Sequence, residues 1–127
     1  MTFLETLQNH LDAIQSRDLA SFVETVTQGE AFSFLLPNGA YMSGRDEFIA
    51  FTRDWFADPD WQFSCELIRT VQRPELAMAL LLVTYDDHDA AGVPYQLTYY
   101  LNLLFAQEGE RWALVHDQNT LVKEMTR

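Results

Sequence analysis

Six side chains stand out in this sequence as candidates to move a proton or to hold a carbonyl oxygen: Asp117, Asn119, Tyr100, Asn102, His116 and His10. Carboxylates and imidazoles carry protons when their pKa lies near the working pH, and hydroxyls and amides polarise a carbonyl by donating to its oxygen. Spacing divides the six. Residues 112–121 read as a strand, so Trp112, Leu114, His116, Gln118 and Thr120 share one face. Ala113, Val115, Asp117 and Asn119 share the other, and His116 therefore cannot act with Asp117 on one substrate. Tyr100 and Asn102 share a face of the preceding strand, where a hydroxyl and an amide together suit an oxyanion. Tyr41, Phe48, Phe51 and Trp55 are the expected aromatic wall of a pocket. An acid facing such a wall loses hydration, and its pKa rises toward neutrality.

Other candidates carry less. Asp86-Asp87-His88-Asp89 gathers metal-ligand types, but neighbours in a turn point in different directions and no further ligand stands at a standard spacing. The run reads as a solvated turn. Cys65 is single, which excludes an intramolecular disulfide and a thiolate cage. HExxH, a Gly-rich phosphate loop, a nucleophile elbow and CxxC do not occur. No metal and no cofactor are expected.

The elements that must position these groups follow from periodicity. Thr2 and Glu5 stand in capping-box spacing ahead of a helix to Ser16, with Phe3, Leu4, Leu7, Leu11 and Ile14 as its apolar stripe. Asp18 caps a shorter helix with Leu19, Phe22, Val23 and Val26 on its buried face, ended by Gly29. Phe32, Phe34 and Leu36 alternate before Pro37-Asn38-Gly39, and Tyr41 and Met42 return as a short hairpin. Ser43 is the expected cap of a third helix, stopped by Asp58-Pro59-Asp60. Four long strands follow, over 61–71, 76–85, 95–105 and 112–121, joined by short polar loops that make neighbours antiparallel. The runs 80–83 and 97–105 are apolar on both faces. One face packs on the helices, so the other is expected to be covered by a second copy of the chain, giving a homodimer.

A chain of 127 residues with 48% apolar residues suits a single domain over 1–127 with its own core. Nine Phe, five Tyr and three Trp fit wide spaces between a sheet and helices, or a cavity wall. Nineteen acids against eight scattered bases give a formal charge of −11, which argues against nucleic acid and anionic lipid as partners. No run approaches the roughly 20 apolar residues of a membrane helix, and Glu5, His10 and Asp12 interrupt any leader-like start. A cytoplasmic protein is expected.

Helix, helix, short hairpin, helix and four long strands is the order of the cone-shaped nuclear transport factor 2-like superfamily, and the chain resembles its SnoaL-like branch. The ending carries the resemblance: Glu108-Gly109-Glu110-Arg111-Trp112, then Val115, His116 and Thr120, is similar to the last strand of SnoaL-like domains. It is similar also to the association domain of calcium/calmodulin-dependent kinases, with Gln118 where a second His stands there. The resemblance implies an α+β fold, a cone-shaped curved antiparallel sheet with N-terminal helices over its concave face. It places Asp117 and Asn119 inside the cone, and by the association domain Asn102 also, with Tyr100 beside it. The implied function is binding of a small hydrophobic or carbonyl-bearing molecule, with Asp117 transferring a proton in a cofactor-free isomerase, cyclase or dehydratase. The alternative is a non-catalytic ligand-binding or dimerisation module. The same fold serves many activities, so the site and not the fold must decide.

Overall fold

The computed structural model of the chain describes residues 1–126. Helix α1, Phe3–Ser16, begins with the capping box: the Thr2 hydroxyl accepts from the Glu5 amide at 3.1 Å, and the Glu5 carboxylate accepts from the Thr2 amide at 2.9 Å. It buries Phe3, Leu7, His10, Ala13 and Ile14, so His10 lies inside the apolar stripe. Arg17 closes α1 in the left-handed conformation at φ 53°. Its guanidinium lies 3.7 Å from the centre of the Trp61 ring and donates to the Asp58 carbonyl, which ties the end of α1 to the loop after the third helix.

Helix α2, Leu19–Glu24, is capped by Asp18 but ends at Thr25, ahead of Gly29. Val26 leaves the helix because its backbone bridges to Leu114 in the sheet. Strands β1, Ser33–Leu35, and β2, Tyr41–Ser43, form the hairpin. Helix α3, Arg45–Ala57, starts at Gly44 with no side-chain cap, because Gly44 turns at φ 97°, a region Gly enters without strain, while Ser43 is still paired in β2.

Strands β3, Gln62–Gln72, β4, Leu76–His88, β5, Pro94–Glu108, and β6, Arg111–Thr126, form the consecutive antiparallel run. The sheet order is β2-β1-β6-β5-β4-β3, and β1 lies parallel to β6, so the sheet is mixed and not wholly antiparallel. Irregular register at Leu67/Arg69 in β3 and opposite Leu104/Phe105 and Thr98/Tyr99 in β6 bends these strands around the helices.

Alternation sorts β4 and β5 cleanly. Ala77, Ala79, Leu81, Val83 and Tyr85 face the helices, paired in register with Phe105, Leu103, Leu101, Tyr99 and Leu97. Met78, Leu80, Leu82, Tyr100, Asn102 and Leu104 occupy the outer face, which no element among the described residues covers, and stay partly exposed. Among the described residues, no helix is long and apolar enough to cross a membrane.

Candidate functional site

The helices do not fill the concave face evenly. Toward residues 97–101 of β5 they leave a cavity of about 170 Å³. Helix α3 contributes Phe48, Phe51, Thr52 and Trp55; β1 and its turn contribute Phe34, Leu36 and Pro37; the sheet contributes Phe63, Tyr85, Leu97, Tyr99, Leu101, Asp117 and Asn119. Ile14 of α1 and Phe22 of α2 complete the lining. Half of this lining is aromatic and most of the rest aliphatic, which leaves few polar partners for the one acid in the wall.

Asp117 is that acid, and only 8% of its surface is exposed. It sits between Phe34 of β1 and Leu103 of β5 in the ladder. Desolvation raises its pKa from the ordinary carboxylate value to about 7, against a smaller lowering by a hydrogen bond from the Asn119 amide at 3.0 Å. That amide nitrogen also donates to the Leu35 carbonyl at 2.7 Å, so both its hydrogens are engaged. No Arg, Lys or His lines the cavity among the described residues. A carboxyl group in this setting exchanges a proton near neutral pH, the property a general acid or base requires.

The remaining polar wall groups are mostly engaged. The Trp55 indole donates to the Tyr85 hydroxyl at 3.1 Å, and that hydroxyl donates to Asp87 at 2.7 Å. Thr52 donates to the Phe48 carbonyl at 2.9 Å. Tyr99 lies close enough to Asp117 for the two charges to interact, and burial first, then that neighbour, pushes its phenol pKa upward. It stays a neutral hydroxyl at any physiological pH and can donate into the cavity.

Phe48, Phe51 and Trp55 thus line the same cavity as Asp117 and Asn119, and three other expected residues lie elsewhere. Tyr100 and Asn102 point to the outer face, opposite Thr120 and Gln118, because Tyr99, Leu101 and Leu103 take the inward positions and a strand has only two sides. Tyr41 is 61% exposed on the short edge strand β2 and does not reach the cavity. The strict alternation expected of β6 also breaks. His116 pairs with Leu104 and Leu114 with Phe105, so Val115 is an extra residue that returns Trp112 and Leu114 to the inner face with Asp117. His116 is on the outer face, bonded to Gln118 at 3.1 Å. The run expected to be a solvated turn is strand through His88: Asp86 and Asp87 are half-buried at the end of β4, Asp86 accepting from Gln96 and Asp87 from Tyr85, and only Asp89 lies in the turn, accepting from the amides of Ala91 and Val93. Tyr99, Tyr85, Phe63 and Phe34 went unread as cavity residues. The signal for Tyr99 was its parity with Leu97, Leu101 and Leu103.

The profile of the SnoaL-like domain matches residues 4–121. The chain belongs to that family. Solved structures share its fold at low identity. A SnoaL-like chain of this shape is similar to a ketosteroid isomerase-like protein from Erwinia carotovora atroseptica, with 16% identity, a TM-score of 0.77, and 94% and 93% of the two chains covered. It is also similar to a cystatin-like fold protein from Caulobacter vibrioides, with 19% identity, a TM-score of 0.74, and 94% and 87% covered. The association domain of C. elegans CaMKII matches with 18% identity, a TM-score of 0.65, and 92% and 91% covered. No curated protein matches the SnoaL-like chain in sequence.

Proposed function

We propose that this SnoaL-like domain binds a small, largely apolar molecule in the cavity and that Asp117 transfers a proton on it without a cofactor. The reaction class is isomerisation, cyclisation or dehydration next to a carbonyl. The observation that supports it is one buried carboxyl group, poised to exchange a proton near pH 7, in an aromatic wall with no cation beside it. Tyr99 takes the donor role first expected of Tyr100 and Asn102, because it is the hydroxyl on the inner face. A neighbour named for its likeness to a ketosteroid isomerase shares the fold, which favours this class.

Exchange of the hydrogens next to the carbonyl for deuterium, followed by NMR over a panel of one-ring ketones, tests this without knowledge of the natural substrate. The wild type should catalyse exchange on at least one member. Asp117→Asn should lose that exchange while the same ketone still binds. Equal exchange by both proteins would remove the mechanism.

The outer sheet face favours a second reading, an association module without catalysis. Leu80, Leu82, Leu104 and Tyr100 give it an apolar centre that no element among the described residues covers, and a neighbour is named an association domain. This reading expects a stable dimer by sedimentation and no pH-dependent reaction. A monomer at micromolar concentration would count against it.

A further inference from the structure

The hydrogen-bond inventory of the cavity limits what its ligand can be. Both amide hydrogens of Asn119, the Trp55 indole hydrogen and the hydroxyl hydrogens of Tyr85 and Thr52 are already given to protein acceptors. The wall therefore has little left to donate to an anion, and a ligand carboxylate or phosphate would also face Asp117 at close range. Asp117 itself is short of donors: among the described residues it accepts from the Asn119 amide alone. Among the described residues the ion pairs are Arg45–Asp46 and Arg53–Asp54, and they leave it out. A buried carboxylate without a cation is costly, and a positive charge brought by the ligand removes that cost.

The surrounding rings favour the same sign. Trp55, Tyr85, Tyr99, Phe34, Phe51 and Phe63 line the cavity, and aromatic π-systems attract a cation that meets a ring face, more strongly where water is excluded. The formal charge of −11 adds a field that concentrates cations near the chain and repels anions. Size sets the other limit. A dry protein cavity of about 150 Å³ holds benzene, so the 170 Å³ here accepts about one ring and not a fused polycyclic skeleton.

Resting on the reading of this cavity as a ligand site, we infer that its ligand is a small organic cation, an amine or ammonium compound about one ring in size, with its nitrogen paired to Asp117. The charge also serves the proposed chemistry. A cationic nitrogen holds Asp117 ionised, the form that accepts a proton, in a place where burial alone favours the protonated form. A carbonyl on the same molecule is left for the Tyr99 hydroxyl.

The groups facing Asp117 are few. Among the lining residues, Tyr99 on β5 and Tyr85 on β4 are the other titratable ones, and both stay neutral below about pH 10; the lining contributions of α1, α2, α3, β1 and β3 are not titratable. Binding of a cation should therefore follow the ionisation of Asp117 alone.

Calorimetry with three probes of matched size tests the inference: benzylammonium, which is a cation throughout the range, neutral benzyl alcohol, and benzoate. Near pH 8 benzylammonium should bind at least about tenfold more tightly than benzyl alcohol, with no measurable heat from benzoate. Lowering the pH to about 6 should weaken the cation about tenfold, as Asp117 takes up its proton, and leave the alcohol little changed. Asp117→Asn should lose both the preference and its pH dependence while keeping benzyl alcohol. If benzyl alcohol binds the wild type as well as the cation does, the charge assignment is wrong and the cavity remains a ligand site. If none of the three binds at millimolar concentration, the ligand-site reading falls with it.

Discussion

Two regions under the helices each bury an ionisable side chain, yet one side chain is packed on all sides and the other faces a hollow. In the packed region His10 is fully enclosed, 4.6 Å from the Phe22 ring centre and 6.2 Å from that of Phe105, with Phe3 and Trp112 beyond. In the hollow region Asp117 opens onto the aromatic cavity. Both lose hydration, and in both the neutral form wins: the His10 pKa falls to about 3 and the Asp117 pKa rises to about 7. Only Asp117 is then left to change charge near neutral pH with space beside it. Burial alone therefore does not make a reactive group. Burial next to an unfilled volume does.

The hydrogen bonds at His10 agree with a structural role. The Thr25 hydroxyl spends its hydrogen on the Phe22 carbonyl at 2.6 Å, so its contact with His10 Nδ1 at 2.8 Å must be donation by the ring. The proton thus sits on Nδ1, and Nε2 is a bare acceptor with no partner. An acceptor buried among rings, with no donor in reach, is a cost to the fold and no tool for catalysis.

If the contrast is real, aromatic truncations should separate the two regions most. Phe105 is wholly buried against Phe3, and Phe105→Ala should cost about 4 kcal/mol, transfer and cavity terms together. Phe51 is half-buried beside space that already exists, so Phe51→Ala should cost well under half of that. Urea unfolding of both variants gives the comparison, and equal losses would mean the hollow region is as tightly filled as the packed one.

The two titrations should oppose each other in stability. The folded chain keeps a proton on Asp117 between about pH 4 and 7, where the unfolded chain has released it. Each unit of rising pH in that window therefore removes about 1.4 kcal/mol, to a loss of roughly 4 kcal/mol at most. His10 works the other way. The unfolded chain gains a proton as pH falls below about 6.5 that the folded chain refuses until about 3, so each unit of falling pH removes about the same amount. From about pH 4 to 6.5 the two slopes cancel, and the wild type should show little dependence from this pair. Asp117→Asn should unmask a rise of stability with pH over that window. His10→Asn, whose amide keeps the Nδ1 donor to Thr25, should unmask a fall. Urea midpoints measured across pH decide it, and variants whose slopes stay those of the wild type would sink the account.

Element order was legible in the sequence because helical and strand periods rest on local pattern, as the Phe3–Ile14 stripe and the alternating runs of β4 and β5 illustrate. Asp117, Asn119 and the α3 aromatics were reached through family resemblance and helical spacing. The donors were missed because the face of a strand residue depends on register, a non-local property, and a shift of one exchanges Tyr99 for Tyr100. The extra residue Val115 was illegible for the same reason. A bulge is set by pairing with Phe105 and by the need to bury Trp112 and Leu114, and no residue type announces it. Likewise Val26 left α2 because Leu114 offered it a backbone partner.

That one-residue difference gives the smallest effect and the finest test. Tyr99 and Tyr100 are adjacent, and removing a phenol oxygen from either changes the chain by a single atom. Tyr99→Phe should leave stability within about 1 kcal/mol and weaken binding of a neutral ring carrying a carbonyl about fivefold, the worth of one uncharged hydrogen bond. Tyr100→Phe, on the outer face, should leave that affinity unchanged, and any effect it has should appear in the sedimentation of the chain. Equal binding losses in the two variants would mean that a cavity ligand is felt through the sheet as a whole and not by the face that touches it. A loss confined to Tyr100→Phe would move the ligand to the outer face and leave Asp117 without a substrate.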